Sequence, residues 1–202
     1  MSTEPKKIKK GVALAGVNAG TTAVCTVGHS GNDLHYRGYD ILELAKKCSF
    51  EEVAFLLIHG ELPNISQLEK YKNQLKKLRD IPTYLKTVLE QIPKDAHPMD
   101  VMRTGCSMLG ILEPEANDHN IDKTKDIADR LISCFSAILI YWYKFSHEGI
   151  RIDCNTDENS IAGHFLHLLH GKTPSSLHER SMNISLILYA EHEFNASTFA
   201  AR

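Results

Sequence analysis

Apolar residues recur at intervals of three and four along most of the chain after Asp40, and this spacing predicts amphipathic helices. Two helix starts carry a capping residue followed three positions later by Glu or Gln: SFEE at residues 49–52 and NISQ at 64–67. Gly60 and Pro63 end the first of these helices. The same pattern predicts further helices at residues 82–92, from Pro98 onward, at 122–147, at 158–170, and from 176 to the last residue.

The helix that begins at Pro98 carries an apolar stripe at Met99, Met102, Cys106 and Leu109. Before Asp40 the pattern differs, because residues 11–39 are rich in Val, Thr and Gly and contain glycine turns near residues 28 and 31. That composition predicts short strands in a hairpin. We therefore expect an essentially all-α fold with a short N-terminal β-hairpin, divided into an arm with strands over 1–40 and a helical region over 41–202.

Composition narrows the class of protein. The 202 residues are 43% hydrophobic and 24% charged with a net charge of -2, which is typical of an ordinary globular domain. This balance gives no electrostatic reason to expect nucleic acid or an anionic membrane as a partner. The longest apolar run, residues 135–143, is too short to span a bilayer. Five dispersed cysteines without a CxxC pair indicate a reduced, cytoplasmic chain.

The last predicted helix carries the clearest candidate site. At about 100° per residue, one side holds Ser185, Tyr189, His192 and Asn195, and the other holds Leu186, Ile187, Ala190 and Phe194. A hydroxyl, an imidazole and an amide on one face suit a small ligand with several oxygens, such as a keto acid. The alternative is a partly buried helix whose polar side chains bond only to their neighbours.

Two other kinds of chemistry are less well supported. His164, His167 and His170 recur every third residue, but this spacing spreads them over about 120° of helix, and no carboxylate or cysteine lies among them to complete a metal site. We therefore predict structural histidines and no metal. Cys106 and Cys134 fall on apolar stripes, which favours core packing over a nucleophilic role.

Several collinear motifs resemble the citrate synthase family. They are GNDLHYRGYDILELA at residues 31–45, EVAFLLIHG at 52–60, HPMDVMR at 97–103, HFLHLLHG at 164–171 and YAEHEFNAST at 189–198. The resemblance implies a predominantly helical homodimer with a large domain and a small domain that closes over the substrate. Residues 41–202 would then be the N-terminal part of the large domain, without its remainder and without the small domain.

Shorter segments resemble one branch of that family: ALAGV at 13–17, CTVG at 25–28, MRTG at 102–105 and YWY at 141–143. Members of this branch condense propionyl-CoA with oxaloacetate, and they commonly also use acetyl-CoA. The resemblance implies that the CoA thioester is a substrate and that no metal or redox cofactor takes part. Two alternatives stay open: a member that uses acetyl-CoA, and a non-enzymatic all-α interaction module.

The resemblance also assigns roles. His192 matches an oxaloacetate-binding histidine, Asn195 matches a polar position beside the same substrate, and Tyr189 would lie near the acyl group. The family's KHGG-like motif, its ketone-polarising histidine, its base aspartate, its carboxylate-binding arginines and its CoA loop do not occur before Arg202. We therefore expect no catalytic residue within the chain and no activity from it alone. The end at Ala-Ala-Arg202 carries no helix stop signal, which favours a cut or truncated chain.

Overall fold

The computed structural model describes residues 20–28, 31, 33–112, 121–191 and 194–201. Three short strands form an antiparallel sheet in the order β1 (Cys25–Val27), β2 (Leu34–Tyr36) and β3 (Tyr39–Asp40). The predicted hairpin is confirmed, and a third strand extends it. The turn glycines Gly28 and Gly31 have φ values of 64° and 91°, which side chains with a Cβ rarely adopt.

The described residues after the sheet are mostly helical, as predicted. The helices are α1 (Ile41–Lys47), α2 (Phe50–His59), α3 (Ile65–Lys77), α4 (Thr83–Glu90), α5 (Pro98–Leu112), α6 (Ile121–Tyr143), α7 (Ile161–His170), α8 (Ser176–Leu188) and α9 (Ala196–Ala201), with a π-helical turn at Lys144–Glu148 after α6. The prediction of an essentially all-α fold is confirmed.

Side-chain caps explain where the first helices begin. Asp40 accepts hydrogen bonds from the backbone amides of Leu42 and Glu43 at the start of α1. At the start of α2, the Glu52 carboxylate accepts from the Ser49 amide at 2.7 Å while the Ser49 hydroxyl accepts from the Glu52 amide. An equivalent pair, Asn64 with Gln67, begins α3. Both predicted capping boxes are confirmed, and each satisfies amides that have no partner within the helix.

Helices α4, α5 and α6 surround the largest apolar core. The predicted stripe on α5 is partly wrong: Val101, Gly105 and Leu109 are the buried positions, whereas Met99 is 68% exposed. The reason is close packing against α6, because a Cβ on Gly105 would lie 2.5 Å from the Cγ2 atom of Ile138. Because α6 packs directly against Gly105, the face of α5 that lies against the core is the row formed by residues 101, 105 and 109.

The bounds of α6 and α7 differ slightly from the predictions. The α-helical part of α6 ends at Tyr143, and the predicted continuation to residue 147 is a π-helical turn that Gly149 ends with φ 70°. Helix α7 begins three residues later than predicted, because the Ser160 hydroxyl accepts from the Gly163 amide and caps it there.

The prediction of one helix from residue 176 to residue 202 is wrong. Helix α8 ends at Leu188, Tyr189 is its C-cap with φ -100° and ψ 2°, and a second helix begins at Ala196. Phe194, in the connection, has φ 21°, a value that no α-helix contains. The predicted face of Ser185, Tyr189, His192 and Asn195 is therefore not a continuous helical face.

No helix among the described residues combines the length and the apolar character that crossing a bilayer requires.

Candidate functional site

Helix α8 is fixed to the junction between α1 and α2. It leads in the sequence into residues 189–195, here called the site segment, of which 189–191, 194 and 195 are described. The Arg180 guanidinium donates to the carbonyls of Ala45 and Lys46, both at 2.7 Å, and to Cys48 at 3.2 Å. These carbonyls belong to the C-terminal end of α1, where helical carbonyls lack internal partners. A cation at that end is also favoured by the helix dipole.

Asn183 connects α8 to the start of α2 in the same way. Its side-chain oxygen accepts from the Phe50 amide at 2.7 Å, at the first residue of α2, and its side-chain nitrogen donates to Cys48 at 3.4 Å. Asn183 is buried. Both the end of α1 and the start of α2 therefore bond to α8. These contacts fix the orientation of α8 and the point at which the site segment begins.

Tyr36, in the small sheet, contacts the chain on both sides of the end of α8. Its hydroxyl lies 3.1 Å from the carbonyl oxygen of Ile187 and 3.4 Å from that of Leu188, to which it donates. The same hydroxyl accepts a hydrogen bond from the Glu191 amide at 3.2 Å. The Tyr36 side chain is fully buried, and burial raises its pKa. The phenol is therefore held neutral, in the form that both donates and accepts.

The structure separates the predicted apolar and polar sides of this region. Ile187 is fully buried in the core that also contains Tyr36, while Ala190 and Phe194 are half-buried. Tyr189 is 88% exposed, and Ser185 and Asn195 are also exposed. Tyr189 and Asn195 therefore lie on the surface at the two ends of the site segment. His192 lies outside the described residues, so its assignment as a ligand-binding residue stays a prediction.

The three histidines of α7 have separate surroundings. His164 is fully buried, and its Nδ1 atom lies 3.0 Å from the Thr156 hydroxyl. His167 Nδ1 lies 2.8 Å from the Glu158 carboxylate, and His170 is exposed at the end of the helix. Across the described part of the chain, no group of three or more His, Cys, Asp or Glu side chains is arranged to hold a metal ion.

Buried charges hold α7 against α2 and α3. The Glu51 carboxylate, 1% exposed, accepts from the Ile161 amide at 2.7 Å at the first residue of α7. The Arg79 guanidinium, also 1% exposed, donates to the Glu158 carbonyl at 2.5 Å. Burial lowers the pKa of Arg79, and the nearby carboxylates of Glu51 and Glu158 oppose that change. These groups bond to backbone atoms, which indicates a structural role.

An apolar groove of about 250 Å³ runs across α2, α5, α6, α7 and α8. Its lining is almost entirely hydrocarbon and sulfur; among the side chains that form it are Phe50, Met102, Phe135, Phe165 and Met182. The Phe135 ring is 36% exposed, and such an apolar surface is favoured for contact with another protein surface. Helix α8 contributes Met182 and Leu186 to the groove.

The sequence did not predict that Tyr36, Arg180 and Asn183 hold α8 and the start of the site segment in place. Arg180 and Asn183 follow a capping Ser175 on an ordinary amphipathic helix, and nothing in their spacing indicates partners more than 130 residues away. For Tyr36 the sequence contains one indication. An aromatic residue in a short predicted strand next to a tight turn is expected to be buried. The contact with α8 could not be inferred from that.

Comparison with known proteins shows similarity over nearly the whole chain. The family model described as "Citrate synthase, C-terminal domain" matches residues 13–202. A protein named 2-methylcitrate synthase from Shewanella oneidensis is 59% identical over 200 residues, covering 99% of this chain and 52% of that protein. The chain thus spans about half the length of the curated relatives it matches.

Solved structures agree with these sequence matches. The citrate synthase from Thermotoga maritima superposes with a TM-score of 0.78 at 31% identity, covering 96% of this chain and 49% of that one. The citrate synthase from Thermoplasma acidophilum, in a ternary complex with carboxymethyl coenzyme A and oxaloacetate, superposes with a TM-score of 0.83 at 28% identity, covering 92% of this chain and 48% of that one.

Proposed function

Because the chain belongs to the citrate synthase family, we propose that the protein acts as a 2-methylcitrate synthase, an enzyme that condenses an acyl-CoA with a keto acid. One observation carries this proposal: the 59% identity to a 2-methylcitrate synthase extends over 99% of the chain. The motifs that resemble the propionyl-CoA branch in the sequence support the same choice.

The proposed reaction joins propionyl-CoA to oxaloacetate. A carboxylate base removes a proton from the carbon next to the thioester carbonyl, and a hydrogen-bond donor stabilises the enol oxygen that forms. That carbon then attacks the ketone carbon of oxaloacetate, forming a C–C bond. Water cleaves the thioester C–S bond, so that 2-methylcitrate and free CoA leave. CoA enters as a substrate, and we expect no metal or redox cofactor.

In this proposal the site segment binds oxaloacetate. His192 and Asn195 donate hydrogen bonds to its oxygens, and Tyr189 lies toward the acyl group. The exposure of Tyr189 and Asn195, and the anchoring of α8 just before them, support this role because a ligand site needs accessible polar groups on a fixed backbone. None of these three residues transfers the α-proton, so we expect the 202-residue chain alone to be inactive.

We further propose that the protein is a cytoplasmic homodimer. Helix α5 exposes Met99 and Ile111, which are 68% and 73% exposed, and its Met102 lines the apolar groove. A second subunit or further polypeptide of the same protein would cover this surface. None of the five cysteines, which all lie within the described residues, forms a disulfide, and that favours a reducing compartment. Sedimentation analysis at several concentrations tests the dimer.

The experiment that tests the function is thiol release from the acyl-CoA, measured on the protein produced from its complete coding sequence. Oxaloacetate with propionyl-CoA should release free CoA, and omission of oxaloacetate should abolish the release. A higher kcat/KM with acetyl-CoA than with propionyl-CoA would favour citrate synthase proper. No release with either thioester would favour the non-enzymatic interaction module and would refute the proposal.

A further inference from the structure

We propose that Tyr36 is a positioning residue for oxaloacetate binding: its hydroxyl fixes the end of α8 to the start of the site segment. The inference rests on the proposed function, because it assigns to Tyr36 an effect on the affinity of a substrate that residues 189–195 would bind. Tyr36 itself is fully buried and is not expected to touch the substrate.

The first observation is how α8 ends. Helices α2 and α7 end at glycines in the left-handed conformation, Gly60 with φ 97° and Gly171 with φ 68°, which is a common and self-sufficient way to end a helix. Helix α8 ends instead at Tyr189 with φ -100°. The amides of Tyr189 and Ala190 bond to the carbonyls of Ser185 and Ile187 at this end. Because each carbonyl oxygen has two lone pairs, the final turn can still accept a further donor from elsewhere in the fold.

The second observation is that the hydroxyl of Tyr36 supplies such a donor at the end of α8. The Tyr36 hydroxyl donates toward the carbonyls of Ile187 and Leu188 and accepts from the Glu191 amide. One hydroxyl thus bridges the chain before and after Tyr189, using both its donor and its acceptor capacity. Glu191 directly precedes His192 in the sequence, so this bridge ends one residue before the histidine that is predicted to bind oxaloacetate.

The third observation is that Tyr36 is itself held rigidly. It pairs with Cys25 on β1 and with Tyr39 on β3, in the middle strand of the sheet. Its ring packs in the core formed with α1, α2 and α8, where Leu44 and Val53 are also buried. The sheet and this core therefore hold the Tyr36 hydroxyl in place, and the hydroxyl in turn bonds to Glu191, which lies 155 residues later in the sequence.

Removal of the hydroxyl breaks the two hydrogen bonds that join the Glu191 amide to the end of α8 through Tyr36. The site segment would then occupy other arrangements for part of the time, and the apparent affinity for its ligand falls by the fraction lost. From the usual strength of one hydrogen bond we expect the KM for oxaloacetate to rise roughly 3- to 10-fold in Tyr36→Phe. The KM for propionyl-CoA should stay within a factor of about two, the scatter expected for a site remote from the change.

The matched control is Tyr141→Phe. Tyr141 is also a buried tyrosine, 3% exposed, and its hydroxyl donates to the Glu90 carboxylate at 2.7 Å, on the α4–α6 side of the fold. The two variants lose the same atom from comparable surroundings. A general loss of stability would affect both, whereas a positioning effect appears only in Tyr36→Phe.

Two measurements on the protein from its complete coding sequence test the inference. The first is hydrogen–deuterium exchange of a peptide that contains the Glu191 amide, which should exchange about 10-fold faster in Tyr36→Phe than in Tyr141→Phe. The second is the KM for each substrate in the thiol-release assay. Faster exchange together with a raised oxaloacetate KM, both confined to Tyr36→Phe, is the expected result.

Equal exchange in the two variants would overturn the anchoring role of Tyr36. Faster exchange with an unchanged oxaloacetate KM would overturn its role in positioning the substrate site. If the wild-type protein releases no thiol, the proposed function is wrong and the substrate role falls with it, while the exchange measurement still decides whether the hydroxyl anchors the segment.

Discussion

Acidification should destabilise the fold through one buried histidine. Burial lowers the pKa of His164 to about 3, and the positive charge of Arg79 and the proximity of His167 act in the same direction. An unfolded histidine has a pKa of about 6.5. Above pH 6.5 the imidazole is neutral in both states and the stability is fully present. Below pH 6.5, the unfolded chain binds a proton at His164 that the native state does not bind. The free energy of unfolding therefore falls as the pH is lowered, until the pH reaches about 3.

The size of the effect follows from the pH interval. At pH 5.0 the medium lies about 1.5 units below the unfolded pKa, and each unit corresponds to about 1.36 kcal/mol, which gives about 2 kcal/mol for this one side chain. A loss of that size is a large part of the 5–15 kcal/mol typical of a domain.

The assay is urea unfolding of the 202-residue chain at pH 7.5, 6.0 and 5.0, compared with His164→Asn. The asparagine keeps a polar group near the Thr156 hydroxyl but does not titrate. The free energy of unfolding should therefore fall by about 2 kcal/mol less in the variant between pH 7.5 and 5.0. His170→Asn, a change at an exposed position on the same helix, should keep the wild-type pH dependence. Parallel curves for all three proteins would refute the reasoning.

Two further predictions concern the helices. Gly105→Ala should lower the free energy of unfolding by about 1–3 kcal/mol, because its Cβ would lie 2.5 Å from Ile138 Cγ2; Gly110→Ala on the same helix meets open space and should raise it by roughly 0.5–1 kcal/mol in the same denaturation assay. Ser49→Ala removes the cap of α2 and should cost about 1 kcal/mol, whereas Ser107→Ala, at an exposed position inside α5, should change stability by less than about 0.5 kcal/mol. A Gly105→Ala protein as stable as the wild type, or equal losses at the two serines, would contradict these predictions.

Local signals predicted the helix starts well. The Ser49 and Asn64 caps depend on residues three positions apart, so the sequence contains everything that forms them. The same holds for Pro98 as the first residue of α5 and for Gly171 after α7. The inner face of α5 was harder to predict, because the clash limit at Gly105 comes from a residue on another helix.

The end of α8 could not be predicted from local signals. Apolar residues continue at helical spacing through Phe194, and neither glycine nor proline interrupts them. The chain leaves the helix at Tyr189, where a tyrosine from the distant sheet bonds to the last carbonyls. The end of α8 thus coincides with a tertiary contact, and no glycine or proline in the sequence marks it. For the candidate site this means that Tyr189 and Asn195 were chosen from a helical face that does not exist, although both are exposed as that face required.

The central claim is that the site segment binds oxaloacetate, and the effect of His192→Ala on substrate dependence tests it most directly. In thiol-release kinetics of the protein from its complete coding sequence, the KM for oxaloacetate should rise roughly 5- to 150-fold, the equivalent of about 1–3 kcal/mol for a lost buried polar contact. His178→Ala, at an exposed position in the first turn of α8, should leave it unchanged. An oxaloacetate KM in His192→Ala equal to that of His178→Ala would contradict the account.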